Sequence, residues 1–161
     1  MRNKFQEHYG PQHGFRKAHS STTALIDIVD SAYRCYDDPR NIGTSIISFD
    51  MSSAFDTVQH ALILEKLNGL SFSKGFLLWL QSYLKDRTCL VKVNGSLSRE
   101  IKVLKGVPQG SVLGPAIFAT FTSDLMCKNP NSVNVMYADD ITLVVPLGAD
   151  SLDDEVLKQT L

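Results

Sequence analysis

The segment 133–145 constrains the fold of this chain more than any other stretch. Apolar side chains alternate along it on both sides of a short break at Ala138-Asp139-Asp140; they are Val133, Val135, Tyr137, Ile141, Leu143 and Val145. Strict alternation is typical of half-buried β-strands, because successive side chains point to opposite faces of a sheet. The segment is therefore predicted to form a tight hairpin with two adjacent carboxylates at its tip.

Asp139 and Asp140 are an unusual pair for a hairpin tip. A single aspartate suits a turn, because its side chain can bond to nearby backbone groups. Two adjacent carboxylates repel each other, and Asn-Gly would form a more stable turn. A divalent cation would relieve the repulsion, since hard cations bind oxygen ligands. Taken alone, the pair is compatible with either a solvated turn or a metal site.

Composition places the chain among ordinary globular proteins. Its 161 residues, 43% hydrophobic and 20% charged, suffice for one domain with a hydrophobic core. No apolar run approaches the ~18 residues of a membrane span, and the N-terminal residues lack the apolar stretch of a secretory signal. Three widely spaced cysteines, Cys35, Cys89 and Cys127, form neither a zinc motif nor a disulfide framework. We expect a reducing, intracellular location and no membrane partner.

The net charge of the chain is −1, but its charged residues are unevenly distributed and include two basic blocks. Residues 1–20 carry a net charge of +3 and residues 85–105 a net charge of +4, whereas residues 147–161 carry −3. Basic blocks of this kind either follow a phosphate backbone or form solvated loops.

Hydrophobic periodicity predicts the elements of the first half of the chain. A helix is expected from Thr23 to Asp37, and a strand over 44–49 that is buried on both faces and ends at Asp50. A single helix is expected over 52–68. The apolar residues that the first helix is predicted to bury are Leu25, Ile28, Val29 and Ala32.

The second half of the chain continues with helices and hairpins. Helical spacing of apolar residues over 76–84 predicts a helix, and Asn94-Gly95 predicts a hairpin turn. The Gly/Pro-bounded loop 106–111 precedes an apolar helix expected to reach Leu125. The acidic tail is predicted to begin a further helix at Leu152.

Three carboxylates stand out in this arrangement. Asp50 ends a predicted strand, and Asp139 and Asp140 lie at a predicted hairpin tip. If the strand and the hairpin are neighbours in one sheet, the three carboxylates converge. Such clusters hold two Mg²⁺ ions about 4 Å apart for in-line displacement at phosphorus.

Four segments resemble, in order, the sequence motifs of reverse transcriptases. Residues 12–22 resemble the fingers segment, 49–58 motif A, 106–115 motif B, and Tyr-Ala-Asp-Asp at 137–140 motif C. The residues of these motifs are most similar to those of non-LTR (LINE-type) retrotransposons near the jockey and CR1 groups. The resemblance spans the chain from about Gln12 to Val145.

The resemblance implies a set of catalytic and metal-binding residues. Asp50, Asp139 and Asp140 match the catalytic aspartates, which would bind two Mg²⁺ ions, with Mn²⁺ as a substitute. Met51 would offer its backbone carbonyl to a metal. Asp56 also lies in motif A and is expected to be structural rather than a metal ligand.

The resemblance also implies contacts with substrate. Phe55 matches the aromatic residue that blocks a ribose 2′-OH, although it also reads as a core residue. Gln109 and Gly110 match the loop that lines nucleotide and template, or form an ordinary Pro-Gly turn. Arg16 matches a basic position near phosphates, or is simple surface charge. Tyr137 would pack beneath the hairpin tip, near the primer end.

The fold class that follows is α/β (α+β): a right-hand polymerase palm with part of the fingers, in which an antiparallel sheet packs on helices. Residues 1–161 are expected to be one partial reverse transcriptase domain. Its fingers-side segment would span about 1–43 and its palm 44–161, with a fingers-side hairpin near 88–105. No thumb or endonuclease segment is recognised, so the chain reads as part of a larger protein.

The function implied by the resemblance is RNA-directed DNA synthesis. The expected partners are an RNA template, a DNA primer and dNTPs, in the nucleus and cytoplasm; the oligomeric state is left open. A different class of function is an inactive retroelement remnant that retains a nucleic-acid-binding fold. A nucleotide cyclase on the same architecture is a third, but the chain lacks the Gly-Gly-acidic loop of cyclases.

Overall fold

The computed structural model describes residues 5–125 and 131–148. The chain divides into two compact units, residues 1–52 with 122–161, and residues 53–121. The helix predicted at Leu152 lies outside the described residues. Within the described ranges, every helix is too short or too polar to cross a bilayer.

Five helices and seven strands lie entirely within the described ranges. The helices are α1 Ser21–Asp37, α2 Ala54–Thr57, α3 His60–Gly69, α4 Lys74–Leu84 and α5 Gly114–Thr122. The strands are β1 Asn41–Phe49, β2 Arg87–Cys89, β3 Lys92–Val93, β4 Ser96–Leu97, β5 Ile101–Val103, β6 Val133–Tyr137 and β7 Asp140–Gly148.

The first unit is built on a three-stranded antiparallel sheet in the order β1-β7-β6. The predicted hairpin supplies β6 and β7, which pair through Tyr137 and Asp140 at the tip. The predicted strand supplies β1, which pairs with β7 as far as Phe49 opposite Ile141. The expectation that the strand lies beside the hairpin is therefore confirmed.

Helix α1 packs on this sheet through a face that differs in part from the predicted one. It begins at Ser21, two residues before the predicted start, because the Ser20 and Thr23 side chains each bond to the other residue's backbone N–H in a capping box. Its buried residues are Ala24 and Ser31, whereas Leu25 and Val29 are 59% and 44% exposed. The predicted burial is therefore wrong for Leu25 and Val29, whereas Ile28 and Ala32 are half-buried as part of the face that contains the small residues Ala24 and Ser31.

The burial predicted for strand 44–49 is also wrong. No residue of β1 is fully buried, and Ile46 is 53% exposed. The physical reason is topological, because β1 is an edge strand of a small antiparallel sheet. Such a sheet covers only one of its faces.

In the second unit, the single helix predicted over 52–68 is two helices, α2 and α3. The backbone of Val58 and Gln59 is extended between them, with ψ angles of 118° and 122°. The carbonyl of Val58 accepts a hydrogen bond from the Gly106 N–H at 2.7 Å instead of bonding within a helix. A long-range bond thus overrides the local helical pattern, which spacing alone does not reveal.

The remaining predictions for the second unit are largely confirmed. Helix α4 is capped by Ser73 and buries Phe76, Leu80 and Leu84. The turn at Asn94-Gly95 has φ angles of 49° and 83°, the positive values of a type I′ hairpin. Helix α5 ends at Thr122 rather than at Leu125, which is 44% exposed.

Candidate active site

The tip of the β6–β7 hairpin is a two-residue turn formed by Ala138 and Asp139. Asp140 is the first residue of β7 and pairs with Tyr137, so it belongs to the strand rather than to the predicted break. Ala138 has φ 57° and Asp139 has no positive φ, which is the pattern of a type II′ turn. Glycine ordinarily fills the first position of such a turn, because a Cβ is strained there.

The strand register brings Asp50 to the same edge of the sheet. Phe49 is paired with Ile141 in the last pair of β1 and β7, and Asp50 follows Phe49 directly, at the end of the sheet where Asp140 begins β7. Three aspartate positions therefore meet where β1 ends and β7 begins, although Asp50 and Asp139 are 89 residues apart in the sequence.

The three carboxylates are accessible and are not neutralised by basic side chains of the described residues. Asp50 and Asp140 are exposed, and Asp139 is half-buried. No lysine, arginine or histidine in the described ranges forms a salt bridge with any of them. Their side chains do not form a ligand cluster either, since residues 5–125 and 131–148 contain no group of three His, Cys, Asp or Glu side chains that could hold a metal.

The residue types and backbone placement fit a divalent cation nonetheless. Mg²⁺ binds through one or two carboxylates, with water and substrate phosphates completing its shell. Asp50, Asp139 and Asp140 offer carboxylate oxygens at one edge, and the carbonyl of Met51 follows directly in the chain. The side chains would have to turn toward one another to share an ion, since they are not gathered in this arrangement.

The hairpin that carries this turn is hydrogen-bonded to residues 11–13, near the start of the described chain. The backbone N–H of His13 donates to the Met136 carbonyl at 2.7 Å, and the Met136 N–H donates to the Pro11 carbonyl at 3.1 Å. These bonds place Gln12 beside Met136 in a parallel bridge. The fully buried Gln12 side chain then reaches Ala138, accepting from its N–H at 2.8 Å and donating to its carbonyl at 2.9 Å.

His13 anchors the same segment to α1. Its ring contacts the Thr23 hydroxyl at 2.9 Å and the Asp27 carboxylate at 3.1 Å. Burial lowers the pKa of His13 below its usual value, and the nearby Asp27 opposes this shift without reversing it. Arg16 donates to the Gly10 carbonyl at 3.2 Å from a half-exposed position. Its predicted role near phosphates stays a prediction.

In the second unit, Phe55 is half-buried and stacks on the buried ring of Phe118. The ring centroids are 4.2 Å apart and the planes differ by 23°. This contact gives Phe55 a packing role, which was the alternative to a role in sugar selection. Its half-buried position is compatible with both roles.

The loop 106–111 is tied to the segment that carries Phe55. The Val107 N–H donates to the Phe55 carbonyl at 2.9 Å, and the Gln109 side-chain amide donates to the Asp56 carboxylate at 2.9 Å. A Cβ on Gly106 would lie 2.8 Å from the Cα of Asp56, so the two backbones touch. The part of motif A in this unit is thus joined to motif B, and the expectation that Asp56 is structural rather than a metal ligand stays a prediction.

The predicted site residues divide between the two units. Asp50, Met51, Asp139, Asp140, Arg16 and Tyr137 belong to the first unit, and Phe55, Gln109 and Gly110 belong to the second. Tyr137 is 39% exposed at the end of β6. Gln12 lies in the segment that resembles the fingers motif, but the sequence predicts no role for it. No local signal indicates one, because its partner Ala138 lies 126 positions away.

A family model described as reverse transcriptase (RNA-dependent DNA polymerase) matches residues 3–159. The chain is 36% identical over 140 residues to the probable RNA-directed DNA polymerase from transposon BS of Drosophila melanogaster, covering 83% of this chain and 15% of that protein. It is 32% identical to the RNA-directed DNA polymerase from the mobile element jockey of the same organism, with the same coverage of each chain. The chain thus spans about a seventh of the length of these relatives, and its predicted resemblance to jockey-type, non-LTR elements is confirmed.

The fold agrees with this assignment. Apo telomerase from Candida tropicalis, truncated from its C-terminal domain, matches with a TM-score of 0.68 and 16% identity, over 98% of this chain and 34% of that structure. Telomerase from Candida albicans matches with the same TM-score and 17% identity, over 98% and 31%. The mixed helical and antiparallel architecture is therefore that of a right-hand polymerase, as predicted. Together with the family match over nearly the whole chain, this identifies the protein as a member of the reverse transcriptase family, of the type found in non-LTR retrotransposons.

Proposed function

We propose that this chain is the catalytic core of an RNA-directed DNA polymerase that transfers nucleotides by a two-metal mechanism. The observation that carries the proposal is the register of β1, β7 and β6, which brings Asp50 to the tip where Asp139 and Asp140 lie. The reaction would join a primer 3′-hydroxyl to the α-phosphorus of a dNTP and release pyrophosphate. Template, primer and dNTP are the partners that such a reaction requires.

In this proposal the chain's own residues hold the reacting groups. Asp50, Asp139 and Asp140 would hold two Mg²⁺ ions, with the Met51 carbonyl as a further ligand. Bound Mg²⁺ supplies activation of the attacking hydroxyl and stabilisation of the leaving pyrophosphate. Two features support the assignment. No basic side chain of the described residues forms a salt bridge with the three carboxylates, and two of them, Asp50 and Asp140, are exposed to solvent.

The second unit would contribute substrate selection. We propose that Phe55 excludes the 2′-OH of ribonucleotides and that Gln109 and Gly110 line the nucleotide and template. Arg16 and Tyr137, in the first unit, would lie near phosphates and the primer end. These roles rest on the motif resemblance, and the contact between Gln109 and Asp56 supports a loop that is held in a defined position.

Metal binding by the isolated chain tests the proposal without requiring catalysis. We expect a Kd on the order of millimolar, because no substrate phosphates complete the shell. Several millimolar Mg²⁺ should then raise the free energy of unfolding by about 1 kcal/mol. The double change Asp139→Asn with Asp140→Asn should abolish this gain, and should stabilise the metal-free chain by removing the repulsion between adjacent carboxylates.

The chain offers a control in Asp37 and Asp38, an adjacent pair between α1 and β1; because Asp38 pairs with Arg40, this control applies to the Mg²⁺ effect and not to stability without metal. Converting both to asparagine changes the charge equally and should leave the Mg²⁺ effect intact. Primer extension by the protein encoded in the longest open reading frame that contains this chain should vanish in the Asp139/Asp140 variant and persist in the Asp37/Asp38 variant. A wild type that ignores Mg²⁺, together with a double variant that is less stable without metal, would show that the two aspartates only shape the turn.

A further inference from the structure

The amide group of the Gln12 side chain makes the hydrogen bonds that a backbone amide of a neighbouring strand would make. Its own backbone lies beside Met136, flanked by the two bonds that join Pro11 and His13 to that residue. Ala138 lies two positions beyond Met136, in the turn after β6, and among the described residues no backbone bond from the Gln12 segment reaches it. The Gln12 amide instead supplies one acceptor and one donor to Ala138, at 2.8 Å and 2.9 Å.

Ala138 is the residue of the turn that most needs such support. Its φ of 57° is strained for a residue with a Cβ, and strained turns persist only where the surroundings over-determine them. Both polar groups of its backbone are bonded to one buried side chain. The loss of either bond is costly for the buried Gln12 side chain, because a buried donor or acceptor without a partner retains its desolvation penalty.

Gly14 also bonds to the Gln12 side chain and lies against Ala138. Its N–H donates to the Gln12 side-chain oxygen at 2.7 Å, which orients the amide. A Cβ on Gly14 would lie 2.5 Å from the Ala138 nitrogen and 2.8 Å from the Gln12 oxygen. Because one of these atoms is backbone, an alanine there would displace either the turn or the segment that supports it.

We propose that Gln12 is a positioning residue that sets the backbone geometry of the turn and thereby the placement of Asp139 and Asp140 relative to Asp50. It touches neither metal nor nucleotide and acts only through Ala138. This inference rests on the proposed function for its kinetic consequence. Its structural consequence, a rigid Ala138, holds whether or not the chain is a polymerase.

Amide hydrogen exchange tests the structural consequence in the wild-type chain. The Ala138 N–H should exchange on the order of 10- to 100-fold more slowly than in an unfolded chain, because Gln12 accepts its hydrogen bond. Gln12→Met, which keeps the side-chain length and removes both bonds, should abolish this protection. The amide of Leu143, in the centre of β7, should keep its protection in the variant.

Steady-state primer extension tests the kinetic consequence. Gln12→Met and Gly14→Ala should each lower kcat on the order of 10- to 100-fold, because small misplacements of catalytic groups are costly. The KM for dNTP should stay within about threefold, since binding contacts are untouched. The control is Asn41→Ala, which removes an equivalent amide-to-carbonyl bond, to Cys35 at 2.8 Å, from the far end of β1. It should leave kcat unchanged.

The outcomes separate the two proposals. Ala138 exchange at the unfolded-chain rate in the wild type would overturn the role of Gln12, as would a Gln12→Met enzyme with an unchanged kcat. A wild type that fails to extend any primer would overturn the proposed function, and the exchange of the Ala138 N–H would then decide the role of Gln12 by itself. If Asn41→Ala lowered kcat as much as Gln12→Met does, the loss would reflect a general effect of stability. This result would also overturn the role of Gln12.

Discussion

Replacing Gly106 by alanine should destabilise the second unit by about 2–5 kcal/mol, the sum of backbone strain and overpacking. Gly106 has φ +87°, a region that costs a residue with a Cβ about 1–2 kcal/mol. The new Cβ would also lie 2.8 Å from the Cα of Asp56 and 2.9 Å from its carbonyl oxygen. Non-bonded carbons normally lie about 3.5–4.0 Å apart, so the backbone must move, at a cost of about 1–3 kcal/mol.

Gly110 provides the matched control for this change. Its φ is +75°, and a Cβ built on it meets no atom within 4 Å. Gly110→Ala therefore carries the strain without the collision and should cost only about 1–2 kcal/mol. The difference between the two variants, about 1–3 kcal/mol, measures the close approach of motif B to motif A.

Urea unfolding followed by tryptophan fluorescence measures both variants. Trp79 is the only tryptophan of the chain and lies in α4, so its signal reports on the second unit. The free energy of unfolding follows from linear extrapolation to zero urea. Equal destabilisation by Gly106→Ala and Gly110→Ala would refute the reasoning, because it would mean that the contact between Gly106 and Asp56 has no energetic consequence.

Three further predictions concern other contacts. Phe55→Val should admit ribonucleotides in primer extension and, by losing its stacking on Phe118, lower stability by about 0.5–1.5 kcal/mol; unchanged discrimination would leave Phe55 only a packing role. Asp56→Ala should raise the KM for dNTP several-fold by releasing Gln109, with a stability cost of about 0.5–1.5 kcal/mol, as urea unfolding and steady-state kinetics can show. Burial lowers the pKa of His13 from its ordinary 6.5, so the unfolded chain binds a proton more readily than the folded one. Stability should therefore be full above pH 6.5 and fall as the pH drops through the lower folded pKa, and His13→Gln should flatten this slope in unfolding measured at about pH 5 to 8.

Local sequence signals determined the parts of this protein that depend on neighbouring residues. Alternation over 133–145 predicted the hairpin, since side chains on a strand repeat every two residues. Asn94-Gly95 predicted the type I′ turn, because both positions need a positive φ. The motifs around Asp50, Gln109 and Asp139 were enough to indicate the family, which the family match then confirmed.

Tertiary structure decided what depends on residues far apart in the chain. The register of β1 on β7 ends with Phe49 opposite Ile141, which brings Asp50 to the end of the sheet where Asp140 lies, and no periodicity within either strand specifies that pairing. The bond from Gly106 to the Val58 carbonyl divides a helix that local spacing predicted to be continuous. The Gln12 amide reaches Ala138 across 126 positions, so only the folded chain shows which side chain holds the strained turn. In each case the deciding interaction joins segments that are distant in the chain, and a sequence window contains only one of the two partners.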